Sequence, residues 1–323
     1  MKESRWDAAT SLWTLETTAG ERFTANVVVS GVGFLHVPKF PSIPGMDSFL
    51  GNTFHTASWP RDLSVEGLRV AVVGTGASAV QAVPALAEQG LASLKVFQRT
   101  PGWVPERMDF AYPSWVQSIF LILPFTNTLY RYFYFWRNEL LFWIVIDNRW
   151  WFTRWWWFTR FTRWWFTSKL SSMGSQIIRK HMREAVRDPH LATKLMPTYD
   201  LGCKRITPSD TYLQAFNKEH VHLVTTAIER FTEKGIQTED GTEHEFDIIV
   251  YATGFDLEKS AKPFVQVGLK GELADDYGDA PLAYLGITHP NHPNFYILHG
   301  PGTGLGHNSV IYMLECQVIM PGS

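Results

Sequence analysis

The chain has 323 residues, which at roughly 100–200 residues per domain predicts about two domains. Hydrophobic residues make up 45% and charged residues 19%, enough for a packed core and against global disorder. With 29 Lys and Arg against 31 Asp and Glu, the net charge of −2 argues against a nucleic-acid coat and predicts no nucleic-acid partner.

Cys203 and Cys316 form no disulfide framework, which points to a reducing, cytoplasmic compartment. The opening residues, Met1 to Asp7, lack the apolar run of a secretory signal. In chain order, Ser11 to Glu16 alternates, Thr18 to Glu21 turns, and Arg22 to Val29 returns as one strand, predicting a hairpin. That strand ends in Ser30-Gly-Val-Gly33, where the backbone is open to close approach. Val37 to Gly45 is Pro-rich and reads as an extended linker. Leu68 to Val73 is an apolar strand, Gly74 to Gln89 a turn and helix, and Leu94 to Gln98 a second strand, together a βαβ unit. Tyr130 to Ile146 has the length of a helix, followed by a Trp- and Arg-rich near-repeat over 149–167. A mixed-charge helix is predicted over 176–188, strands over 246–254 and 294–298, and a last helix over 307–318.

Gly74, Gly76 and Ala79 fit the dinucleotide fingerprint G-x-G-x-x-A. The first glycine permits the tight turn, the second lets a pyrophosphate reach backbone amides, and the small Ala79 lets helix and strand pack closely. A site for NAD places an acid at the end of the second strand to hold the ribose 2′-hydroxyl. Here Gln98-Arg99-Thr100 stands there, with no acid between Glu88 and Glu106. The Arg99 fork suits a 2′-phosphate, so NADP is preferred.

Phe49 to Pro60, FLGNTFHTASWP, fits F-x-G-x-x-x-H-x-x-x-W-P just before the fingerprint. This resembles the signature of the Baeyer–Villiger monooxygenases, a branch of the class B flavoprotein monooxygenases. Ser30 to Gly33, Phe97 to Pro101, Gly202 to Arg205, Tyr251 to Phe255 and Gly304 to Ser309 resemble further family segments, in order. The resemblance implies an α/β flavoprotein with two dinucleotide-binding domains. The FAD-binding domain is expected at 1–37 and 257–323, with the NADP-binding domain, 38–256, inserted in it. That inserted domain is expected to carry a helical, aromatic-rich insert at about 108–198. It also implies FAD and NADP as cofactors and O2 and a small ketone or sulfide as substrates, the oxygen entering a ketone through a C4a-peroxyflavin.

The resemblance makes Arg205 the active-site arginine, a permanent cation suited to developing negative charge. His55 is the linker histidine, read either as a relay of domain movement or as a structural residue. The expected cofactor contacts are Gly74, Thr75, Gly76, Ser78, Ala79, Gln81, Arg99, Thr100, Lys204, Gly254 and Asn308. No metal site is assigned. No first G-x-G-x-x-G precedes Gly31 and the last helix stops at Met320, which predicts a partial FAD domain with weak or absent FAD binding. Two alternatives stay open: an N- or S-oxygenating flavin monooxygenase, and an inactive NADP-binding remnant. A disulfide oxidoreductase would need a redox cysteine pair. The segment 149–167 is read either as a peripheral membrane contact, because Trp favours the interface and Arg anionic headgroups, or as an aromatic lid.

Overall fold

The computed structural model describes residues 1–107, 110–145, 159–278, 281–306 and 308–319, with the backbone course alone for 143–145 and 159–171. The chain divides into two compact units, 1–39 with 255–323, and 40–254.

The first unit opens with β1 (Glu3–Asp7), β2 (Leu12–Glu16), β3 (Arg22–Ala25) and β4 (Val28–Ser30). The second runs β5 (Asn52–His55), β6 (Arg69–Val73), α1 (Ala77–Ala87), β7 (Ser93–Phe97), α2 (Ser114–Ile122), α3 (Pro124–Val145), α4 (Thr159–Ala185), α5 (Pro189–Lys194) and α6 (Tyr212–Ala215). It continues with β8 (Val221–Val224), β9 (Ile228–Phe231), β10 (Gly235–Thr238), β11 (Glu243–Glu245) and β12 (Ile248–Tyr251). The first unit then resumes with α7 (Leu257–Ala261), β13 (Val265–Val267), α8 (Leu273–Tyr277), β14 (Phe295–Ile297) and α9 (Val310–Ile319).

In the second unit five parallel strands align in the order β5-β12-β6-β7-β8. Such a sheet is covered on both faces, so its strands read as unbroken apolar runs. Along β6, Val70 and Val72 enter the cluster built with α1, while Ala71 and Val73 enter a second cluster under β9 and β10. β12 divides likewise: Ile248 and Val250 face one way, Ile249 and Tyr251 the other. Alternation of side chains about an extended backbone is the cause. At the amino end of this sheet Arg69 clamps Asp247, its Nη2 donating to Oδ1 at 2.9 Å. That fork holds the Asp247 carboxyl below its ordinary range.

In the first unit, β13-β1-β2-β3 form one sheet and β14 pairs with β4 in parallel. Trp13 is fully buried against Val28 and Phe295, and its Nε1 donates to Pro293 O at 2.8 Å.

Several elements differ from their predicted form. The return strand over 22–29 is two strands, β3 and β4, because the chain bends at Asn26 and β4 joins β14 instead of the hairpin sheet. Two prolines start helices: Pro113 is the N-cap of α2 and Pro124 the first residue of α3. A helix start loses nothing by lacking an N–H there. The mixed-charge helix begins far earlier, at Thr159, and ends at Ala185. The last helix starts at Val310. The membrane reading of 149–167 falls on 149–158, outside the described residues, and on a stretch of α4 given as backbone alone. Among the described residues no helix is long and apolar enough to cross a membrane.

Candidate nucleotide site

All five strands of the parallel sheet point the same way, so the residues that follow them gather at one edge. Register places Tyr251 beside both His55 and Val73, and Val73 beside Phe97. The segments leaving β5, β12, β6 and β7 therefore begin side by side, where open α/β sheets take ligands.

Gly74, next after β6, has φ +111°, and a Cβ there would stand 2.5 Å from Ala252 O. Only glycine turns the chain so tightly across the end of β12. Gly76 caps α1 without a side-chain hydrogen bond, and nothing lies within 4 Å of where its Cβ would be. Val80 N donates to Gly76 O at 3.0 Å, so the amides of Ala77, Ser78 and Ala79 belong to the opening turn, at the positive end of the helix. Ala79 is fully buried, as close packing of helix on sheet requires. Thr75 Oγ1 donates to Thr100 O at 3.0 Å, tying the glycine turn to the end of β7. Gln81 is exposed, and its amide donates to Ala77 O on its own helix.

At the end of β7, Gln98 is buried and its Nε2 donates to Lys194 O at 2.8 Å, which takes it out of ligand reach. Arg99 is exposed, with no hydrogen-bond or ion-pair partner among the described residues. The two neighbouring residues thus divide the work, one anchoring α5 and the other offering a free guanidinium.

The loop carrying Lys204 and Arg205 is held near the same edge by contacts that no sequence motif announces. Trp103, fully buried, donates from Nε1 to Tyr199 O at 3.2 Å. Tyr199 returns its hydroxyl to Pro101 O at 3.0 Å, and Thr207 N donates to Trp103 O at 3.1 Å. Lys204 Nζ sits 4.9 Å from the centre of the Tyr199 ring. Arg205 is exposed.

His55 is 2% exposed and its Nδ1 accepts from Ala57 N at 3.1 Å, closing the turn after β5. Burial pushes its imidazole below the ordinary value, with the Gly254 backbone acting in the opposite direction. Gly254, at φ +83°, follows β12 at the same edge. Asn308 belongs to the other unit, where its Oδ1 accepts from Ser309 N at 2.9 Å.

The sequence model of the flavin-binding monooxygenase-like family matches residues 2–136. A Baeyer–Villiger monooxygenase of Pseudomonas aeruginosa is 36% identical over 97% of this chain, and one of Streptomyces coelicolor 38% over 98%. The chain is thus similar to flavin-binding monooxygenases over nearly all of its length. It spans 56% and 57% of the length of those two relatives. The crystal structure of cyclohexanone monooxygenase from Rhodococcus sp. Phi1 bound to NADP+ matches it with a TM-score of 0.77 at 28% identity. That match covers 99% of this chain and 64% of the other. The family's two-dinucleotide plan is the fold class expected from the glycine turn and the Phe49 to Pro60 signature.

Proposed function

We propose that this chain supplies the NADP-binding part, and a share of the FAD-binding part, of a Baeyer–Villiger-type monooxygenase. Such an enzyme uses NADPH, FAD and O2 to insert one oxygen atom into a small ketone. The observation that carries the proposal is the free Arg99 guanidinium beside the glycine turn that opens α1.

The residues present fit the nucleotide. Gly74, Thr75 and Gly76 leave the opening amides of α1 uncovered for a pyrophosphate, and Ser78 stands in that same turn. Arg99 and Lys204 offer the charges for a ribose 2′-phosphate, and Thr100 is fixed beside them by Thr75. For FAD, the first unit contributes a cavity of about 300 Å3 lined by Ser30, Gly33, Phe34, Leu298 and Gly300, among others. Its size and apolar walls suit part of such a cofactor. Gly254 and Asn308 are proposed as further cofactor contacts.

When bound, the flavin takes reducing equivalents from NADPH and carries out the oxygen chemistry. Arg205 contributes a guanidinium cation that can stabilise negative charge developing on the substrate oxygen. His55, buried and accepting from Ala57 N, acts as a positioning residue for the segment after β5.

Calorimetric titration with NADP+, NAD+ and FAD, followed by product analysis on a cyclic ketone and a thioether, tests the proposal. Tight NADP+ binding, FAD uptake weakened by the partial FAD-binding part, and a lactone product are expected. Sulfoxide without lactone would favour the oxygenation of heteroatoms, NADP+ binding without FAD uptake a nucleotide module alone, and no NADP+ binding would overturn the reading.

A further inference from the structure

In the first unit, α8 and the loop before β14 bring Asp276, His289 and His292 together. Among the described residues they form the one grouping of three His, Cys, Asp or Glu side chains close enough to share an ion, with ligand atoms within 4.8 Å of one another. Asp276 Oδ2 lies 3.5 Å from His289 Nδ1 and 3.9 Å from His292 Nδ1.

The hydrogen bonds around the cluster fix which atoms face its centre. His292 is 2% exposed, and its Nε2 lies 3.3 Å from Gln266 O. A carbonyl only accepts, so Nε2 carries the ring proton and Nδ1 presents a lone pair. That Nδ1 is buried and has no hydrogen-bond partner. His289 Nδ1 also accepts, from Asn291 N at 3.4 Å. Asp276 is steadied from one side by Asn291 Nδ2, at 3.2 and 3.1 Å from its two oxygens. His292 Nδ1 thus faces Asp276 Oδ2 with no donor between them, and His289 Nδ1, whose long contact from Asn291 N an ion would displace, stands 3.5 Å from the same oxygen. A cation that binds lone pairs fits that gap.

We infer that Asp276, His289 and His292 form a binding site for a divalent transition-metal ion of the zinc type. Neutral imidazole and carboxylate are its ordinary ligands, at about 2.0–2.2 Å, which sets tetrahedral ligand atoms roughly 3.4 Å apart. The separations of 3.5 and 3.9 Å need only small side-chain shifts to match. The outer contacts have the form such sites use: the Gln266 carbonyl orients one imidazole and the Asn291 amide orients the carboxylate. Asp276 and His289 keep side-chain exposures of 25% and 15%, a way in for the ion and room for a water as fourth ligand. Gly268 is bare where a Cβ would stand 2.9 Å from His292 Nε2, so the loop can lie against the ligand ring. His292 also stacks on Trp13, with centroids 6.2 Å apart, so an ion here would tie α8 to the core of the unit.

The test uses the whole 323-residue chain, stripped with a chelator and titrated with Zn2+ by calorimetry and with Co2+ by visible absorption. Uptake of one equivalent is expected, with an affinity that falls at least about tenfold in Asp276→Asn and in His289→Gln. Histidine-selective 15N spectra of the unmodified chain give a readout independent of those variants. Zn2+ should shift the Nδ1 resonances of His289 and His292 while His292 Nε2 stays protonated. Absence of stoichiometric uptake, uptake indifferent to both substitutions, or metal carried by other histidines would overturn the inference.

Discussion

Removing the two cations at the nucleotide edge, Arg99→Ala with Lys204→Ala, separates the 2′-phosphate reading from general nucleotide affinity. A charge-assisted contact to phosphate is worth about 1.5–3 kcal/mol. Both side chains are exposed, so screening by water and salt places each near the lower figure. Two such losses total about 3 kcal/mol, or roughly two decades in dissociation constant. The double variant should therefore bind NADP+ roughly 100-fold more weakly and NAD+ with little change, since the glycine turn and the opening amides of α1 are untouched. Neither side chain holds the fold: Arg99 has no partner among the described residues and Lys204 only rests over Tyr199. Melting temperature should stay close to that of the parent. Titration calorimetry at low and high salt measures both affinities, and the gap between NADP+ and NAD+ should narrow as salt rises. An unaltered preference in a folded double variant would refute the reasoning.

Other outcomes follow from the same geometry. Gly74→Ala forces a Cβ to 2.5 Å from Ala252 O at a φ of +111°, so denaturant unfolding should show a loss of at least about 2 kcal/mol. Gly76→Val places its side chain in open space, so stability should hold while NADP+ affinity, read by fluorescence titration, drops. Trp13→Phe removes the donor to Pro293 O and should cost about 1–3 kcal/mol in urea unfolding, with the loss confined to the first unit. Arg69 holds the Asp247 carboxyl below its ordinary value of 3.8, so the pair's stabilisation is present above that pH and disappears as pH falls through the depressed value. The stability difference between the parent and Asp247→Asn should accordingly shrink between pH 5 and pH 3, measured by urea titration.

Much of the second unit was legible because its signals are local. Runs such as Leu68 to Val73 followed by Gly-x-Gly need no tertiary knowledge: a strand buried on both faces must be apolar throughout, and a turn onto a helix must be bare. The ribbon β9-β10-β11 gave no such signal, since its short strands mix polar and apolar residues and are ordered by the face they cover. The division of Arg22 to Val29 was equally hidden, because what splits it is pairing of Val28 with Phe295, far along the chain. Around the site, Arg99 could be read from the missing acid. The anchoring of its neighbour Gln98 to Lys194 could not.

The histidine cluster shows the same boundary. His289 and His292 stand three residues apart, a visible spacing, yet Asp276 completes the group only through the folding of α8 against that loop. By itself the sequence determined the βαβ unit, the glycine turn and the cation following the second strand, because each rests on neighbours in the chain and on backbone sterics. Tertiary structure alone decided which side chains lost water and which acceptors faced one another. Trp103 pins the Lys204 loop, burial pushes the His55 imidazole below its ordinary value, and His292 turns a bare nitrogen toward Asp276. Desolvation and convergence depend on segments far apart in the chain, and no local pattern encodes them.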